Sequence, residues 1–168
     1  MAVTVSGTLR LLIDLYERST IDLGGIVAHS ALDTGEIVIA NGLADYQANL
    51  VWSDRRTAAA APDLLDLRGV LVGALQPSND AKVVALFIRS KAVVAGKVLS
   101  VGGAGANPAF AGLFGDATDK IKIGAGGVFA WYAPVDTLLT TGGTADILAI
   151  DPGADTIDYE IVILGRTA

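Results

Sequence analysis

Lys120-Ile121-Lys122-Ile123-Gly124-Ala125-Gly126-Gly127-Val128-Phe129-Ala130-Trp131-Tyr132-Ala133-Pro134 is the stretch that decides the fold class. Its first four residues alternate a charge with a β-branched apolar side chain. Four residues follow, three of them glycine, and then a second apolar run closes at Pro134. Two such runs around a glycine-rich break read as a β-hairpin or a tight sheet corner. The tail repeats the pattern in Thr156-Ile157-Asp158-Tyr159-Glu160-Ile161-Val162-Ile163-Leu164. Strand side chains alternate with period two, so Ile157, Tyr159, Ile161 and Ile163 fall on one face.

Working outward, strand-like runs occupy residues 82–90, 97–101, 137–141 and 146–151, with Gly, Pro, Asn or Asp in nearly every gap. This spacing predicts an antiparallel sandwich or barrel rather than alternating β-α units. Val83-Val84-Ala85-Leu86-Phe87-Ile88 is apolar on both faces, which predicts a central strand or one whose outer face meets a partner. The widest gap, residues 102–119, reads as a loop pinned by Pro108, Phe110, Leu113 and Phe114.

The N-terminal third is less regular. Residues 4–16 read as a strand, with a helix as the rival, because Leu9, Leu12, Ile13 and Tyr16 also fall at helical intervals. Asp22-Leu23-Gly24-Gly25 reads as a turn and residues 29–34 as a polar loop. Residues 36–40 read as a strand closed by an Asn41-Gly42 turn, residues 44–49 as a helical turn or loop. Residues 63–69 read as a strand, with a short helix over 63–75 capped by Asp63 as the alternative. The small-residue joint at Ala58-Ala59-Ala60-Ala61-Pro62 is the best internal boundary. It divides an N-terminal arm with the first strands (1–61) from a β core (62–168), within one compact domain overall.

Composition excludes several functions. The chain has 168 residues and a net charge of −6, and Arg55-Arg56 is its only adjacent basic pair. Phosphate neutralisation needs clustered Lys and Arg, so nucleic acid is not an expected partner. There is no cysteine, hence no disulfide framework and no thiolate metal site. Hydrophobic residues make up 52% of the chain, yet no run approaches the roughly 20 residues of a helical span. Membrane insertion is therefore not expected, and the apolar excess points to surface buried between subunits. No leader or lipidation motif is recognisable at the N-terminus.

No catalytic constellation stands out. Gly102-Gly103-Ala104-Gly105-Ala106-Asn107 lacks the Lys-Ser/Thr pair of a phosphate-binding loop and reads as a β-turn. Asp116 and Asp119, and the set Asp151, Asp155 and Asp158, supply oxygens a calcium ion would accept, but their spacing fits ordinary turns. His29 is the only histidine, with no nucleophile elbow to serve. Asp14 and Glu17 could do acid–base work, with nothing to select them. No cofactor is expected. The candidates that remain belong to an interface. Asp54, Arg55 and Arg56 form the densest charge cluster, suited to ion pairs across a subunit boundary or to a solvated strand end. Trp52, Trp131, Tyr132, Phe110 and Phe114 are core residues, or anchors where exposed.

Asn49-Leu50-Val51-Trp52-Ser53-Asp54-Arg55-Arg56-Thr57 followed by Leu64-Leu65-Asp66-Leu67-Arg68-Gly69 resembles small virion-associated proteins of tailed bacteriophages. So do Ser100-Val101-Gly102-Gly103, Gly126-Gly127-Val128-Phe129-Ala130-Trp131-Tyr132-Ala133-Pro134, Gly143-Thr144-Ala145-Asp146-Ile147-Leu148 and Tyr159-Glu160-Ile161-Val162-Ile163-Leu164-Gly165. The resemblance spans residues 45–168. It implies a β-sandwich, often jelly-roll-like, acting as a non-enzymatic capsid decoration, cement or minor capsid protein. Its partners would be the major capsid protein and its own copies in a homotrimer. Its place would be the virion surface, after assembly in the host cytoplasm. A receptor- or glycan-binding module of a head fibre or tail is the second expectation, and a β-sandwich hydrolase or lyase the third.

Overall fold

The computed structural model describes residues 7–9, 12–21, 24–33, 37–67, 81–104, 108–109, 111–116, 118–133, 135 and 146–167. The protein is mainly β with antiparallel sheets. Its strands are β1 (Gly7–Leu9), β2 (Leu12–Ile21), β3 (Gly24–Asp33), β4 (Ile37–Asn41), β5 (Gln47–Ala48), β6 (Leu50–Ala59) and β7 (Asp63–Asp66). There follow β8 (Ala81–Ser90), β9 (Val98–Gly103), the helical turn α1 (Ala111–Phe114), β10 (Lys120–Gly124), β11 (Val128–Tyr132), β12 (Ile147–Asp151) and β13 (Thr156–Thr167).

Two four-stranded sheets carry the body. One runs β11-β8-β13-β6 and the other β10-β9-β12-β7. Their pairings nest: β9 with β10, β8 with β11, β7 with β12, and β6 with β13. The antiparallel contacts β9–β12 and β8–β13 then join the nested pairs into sheets. Within this body, from β6 to β13, consecutive strands change sheet except at β9–β10.

Alternation explains the core. Ile157, Tyr159, Ile161 and Ile163 of β13 are all buried, as their period-two spacing predicts. From the facing sheet come Leu65, Leu99, Val101, Ile123, Leu148 and Ile150, in the same apolar cluster as Trp52, Leu86 and Ile88. Each such side chain removed from water contributes about 1.5–3 kcal/mol before entropic costs. β8 lies inside its sheet, as its two-faced apolar run predicts, and Leu113 and Phe114 of the 102–119 gap pack against the core.

Several expectations need correction. Of the two readings of the 120–134 stretch the corner holds and the hairpin does not, because β10 and β11 belong to different sheets. Residues 29–33, read as a loop, lie in β3 paired with β2, where cross-strand bonds offset a weak local β preference. Gly102 and Gly103 are strand residues, not a turn. A Cβ on Gly102 would sit 2.5 Å from the Asp119 carbonyl oxygen, which explains the glycine. The strand expected from residue 63 is present at 63–66, and the alternative helix is not formed there. The strand expected at 137–141 and Phe110 lie outside the described residues.

The corner itself depends on Gly126, whose φ is +70°. A Cβ there meets nothing within 4 Å, so Gly126→Ala would add backbone strain without a clash. The expected loss is about 1 kcal/mol, read as a lower urea midpoint at unchanged slope.

The described strands ahead of β6 form two smaller sheets. β1, β4 and β5 make one, and β2 with β3 makes a two-stranded ladder of its own. The first of these covers one end of the outer face of the β11-β8-β13-β6 sheet. There Ile39 and Ala48 are buried against Val51, Tyr132 and Leu164. Arg166 at the end of β13, itself 2% exposed, donates to the Ala44 carbonyl and pairs with Asp45 at 3.1 Å. The Asn49 amide donates to the Gly165 carbonyl at 3.1 Å and completes the junction.

Candidate functional site

The charged cluster predicted from Asp54-Arg55-Arg56 is divided by strand alternation between two faces of β6. Trp52, Asp54, Arg56 and Ala58 take the side of the core, while Ser53, Arg55 and Thr57 take the exposed side. Arg56 reaches across to β7 and grips Asp63 with two hydrogen bonds, Nε to Oδ2 at 2.6 Å and Nη2 to Oδ1 at 3.0 Å. The Tyr159 hydroxyl donates to the same Oδ2 at 2.7 Å, and Asp54 accepts from Arg56 Nη1 at 3.3 Å. Arg56 and Tyr159 are register partners on β6 and β13, whereas Asp63 belongs to the facing sheet. The network therefore ties sheet to sheet along the β6–β7 edge, beside a shallow groove of about 440 Å³.

Its electrostatics are consistent with a clamp. Partial burial alone would raise the Asp63 carboxyl, but the Arg56 guanidinium and the Tyr159 hydroxyl hold it below the ordinary carboxylate range. Burial, and then the Asp63 carboxylate, push the Tyr159 phenol above its ordinary value. The hydrogen bond to Asp63 likewise raises Arg56. A neutral phenol, a carboxylate and a guanidinium locked together hold no proton ready for transfer near neutral pH.

On the opposite, outward side, Glu160 collects cations. Arg55 meets it at 2.6 Å, Lys91 at 3.6 Å and Arg89 at 3.9 Å. Arg55 and Arg89 flank Glu160 directly by register on both neighbouring strands. The Arg55 hydrogen bond holds the Glu160 carboxyl low. The next row along the same face is Ser53, Val162, Phe87 and Ala130. Both rows lie beyond the end that Ile39 and Ala48 cover, and among the described residues Phe87 and Val128 on them are exposed.

The other sequence candidates separate similarly. Trp52 is core, 4% exposed, and its indole N–H has no hydrogen-bond partner among the described residues. Trp131 and Tyr132 are consecutive on β11 and turn to opposite sides, Trp131 toward the main core and Tyr132 toward Ile39 and Ala48. Phe114 is half-buried against the core. The acidic candidates are already partnered: Asp116 accepts from the Thr118 amide and hydroxyl and Asp151 from the Gly153 amide, both within their turns, while Asp151 also accepts from Lys120 and Asp158, a strand residue, from the Thr57 hydroxyl of the neighbouring strand. Asp155 pairs with Lys97 at 3.3 Å. Among the described residues no group of three or more His, Cys, Asp or Glu is placed to hold a metal ion, and no helix is long and apolar enough to cross a membrane.

Sequence reasoning missed Asp63, Tyr159 and Glu160 as partners of the cluster. Tyr159 and Glu160 stood in a strand whose inner face was already legible. What was hidden was which strand lies beside it. No family model, curated protein or solved structure matches the chain.

Proposed function

We propose that strands β6–β13 form a jelly-roll sandwich, and that the chain is a non-enzymatic structural protein of a tailed-phage virion. It decorates or cements the capsid by binding major capsid subunits. It does so as a homotrimer on the capsid surface, with residues 7–48 as an arm on the sandwich. The observation that carries this reading is the nested pairing. Numbered one to eight, the strands pair first with last, second with seventh, third with sixth and fourth with fifth. A long hairpin folded back on itself in this way gives the eight-stranded double Greek key, an architecture used by viral capsid and lectin domains.

Two further observations support assembly over chemistry. The polar residues drawn together at the β6–β7 edge satisfy one another, so their geometry does structural work. Large apolar side chains remain outside the core, with Val38, Leu43 and Tyr46 each more than half exposed. The glycan-binding alternative is less well supported, because Trp131 and Tyr132 turn to opposite sides of their strand and cannot make one stacking platform.

The test is co-sedimentation of the purified chain with empty capsids that lack it, followed by capsid melting. Co-pelleting at a fixed ratio with a raised melting temperature is expected. A chain that stays in the supernatant and leaves capsid melting unchanged contradicts the capsid reading, and tail fractions and glycan arrays then become the next binding partners to try.

A further inference from the structure

β6 ends its sheet, and at ten residues it is twice as long as β10 or β11 and longer still than β7, the other strands that end the two four-stranded sheets. In an antiparallel ladder alternate residues direct both backbone groups to one neighbour. The Ala60 amide donates to the Asp155 carbonyl at 2.8 Å, in step with the pair Thr156↔Ala59. The even residues of β6 therefore bond to β13. Val51, Ser53, Arg55, Thr57 and Ala59 turn their N–H and C=O groups outward, to an edge that no described strand covers. The Arg55 amide accordingly donates away from the ladder, to Asp54 Oδ1 at 2.8 Å. A long edge with outward backbone groups is a template for a further strand.

The side chains decide which strand fits. Outward residues must face outward residues, so two antiparallel copies of β6 can meet only in registers that differ by steps of two. With Arg55 opposite the second copy's Arg55, Asp54 stands opposite the second copy's Arg56, and Arg56 opposite its Asp54. Ser53 then stands opposite Thr57, and both are exposed. One step in one direction sets Asp54 against Asp54, and one step in the other sets Arg56 against Arg56. Like charges directly opposed destabilise a sheet. Larger steps lose both Asp–Arg pairs and shorten the overlap. The favoured register keeps one like-charged pair, Arg55 with Arg55, where each guanidinium is held by its own Glu160 at 2.6 Å. Asp54, a third exposed, is free to leave the Arg55 amide for the second copy's Arg56.

We propose that the β6 edge is a self-pairing site: β6 of a second copy of this chain adds to it antiparallel, centred on Arg55, with Asp54 and Arg56 exchanged across the join. The two sheets then run on as one. The contact uses the same surface on both copies and is two-fold. It therefore joins chains of different threefold clusters rather than chains within one. The inference goes beyond the proposed function and does not depend on the capsid.

The cysteine-free chain makes the test direct. Full-length Ser53→Cys and Thr57→Cys chains of different tag mass are mixed and oxidised. Directly opposed residues stand about 5.5 Å apart between Cα atoms, within disulfide reach. A covalent pair of mixed mass is expected. Ser53→Cys alone should give none, because its own counterpart would lie about four residues, or 13 Å, along the strand. Adding Asp54→Lys to both chains should abolish the disulfide by setting two cations opposite each other. Ala59→Pro, which removes an outward N–H but no bond to β13, should abolish it too. Lys122→Glu, on the other sheet, should leave it unchanged. No mixed pair at any concentration, a pair formed by Ser53→Cys alone, or a pair that survives both Asp54→Lys and Ala59→Pro overturns the proposal. So does slow hydrogen exchange of the Ser53 and Thr57 amides that appears only when capsids are added, which would assign the edge to a capsid strand.

Discussion

Asp63→Ala is expected to destabilise the fold by about 2–4 kcal/mol, the cost of removing one partner from a partly buried charged network. Asp63 is the shared acceptor of Arg56 and Tyr159. Arg56 keeps a weaker contact to Asp54 at 3.3 Å and, being about a third exposed, can turn to water. Tyr159 is fully buried, and its hydroxyl loses its carboxylate acceptor. For a chain of this size the melting temperature should fall by about 4–16 °C. Tyr159→Phe removes only the donor and should cost about 1 kcal/mol. The double variant should lose less than the sum of the two singles, because both substitutions remove the same bond. Equal and additive losses would show that the three residues do not act as a unit. The pH dependence has a definite sign. The Asp63 carboxyl is held below its ordinary value of 3.8, so its contribution is present above that value and is lost as pH falls through the lower folded value. Tyr159 is raised, so its contribution is present below pH 10 and is lost in alkali. Asp63→Asn should remove the Asp63 part of the acid limb and weaken the alkaline one, leaving there the share due to burial of Tyr159.

Arg166→Ala is expected to release the N-terminal segment from the body. Arg166 holds the Ala44 carbonyl and Asp45 from a position almost wholly out of water. Truncation removes the charged donors and the packed stem together, a loss of about 2–3 kcal/mol. The local readout is the Asn49 amide, which donates to Gly165 at the same junction. Its hydrogen exchange should accelerate at least tenfold, the equivalent of about 1.4 kcal/mol of local opening. Amides in the middle of β13 should change less. Arg166→Lys retains a charge for Asp45 without the planar fork and should fall between the two. Unchanged exchange at Asn49 would show that Ile39 and Ala48 hold the segment without the arginine.

Much of the body was legible because strand alternation is local. The β13 pattern located its buried face residue by residue, and the glycine breaks marked β10, β11 and β12. Nesting was not legible, because β6 and β13 meet across about a hundred residues of chain and nothing in either run specifies the other. The same limit applies to the charged cluster. Asp54, Arg55 and Arg56 were evident, but their partners within the chain, Asp63 and Glu160, were not, because they lie on other strands. Period two already separated Arg55 from Arg56, so opposite roles for the two were predictable in principle. Residues 29–33 were misread for another reason. Ala28-His29-Ser30-Ala31-Leu32 carries little β propensity, and its strand depends on pairing with β2.

The central claim, an eight-stranded body that assembles on a capsid, is tested most directly by imaging. Cryo-electron microscopy of virions whose genome encodes the chain should place the β6–β13 body on the outer capsid surface, in threefold clusters. Density for the chain confined to the tail, or no copies in the particle, would contradict it.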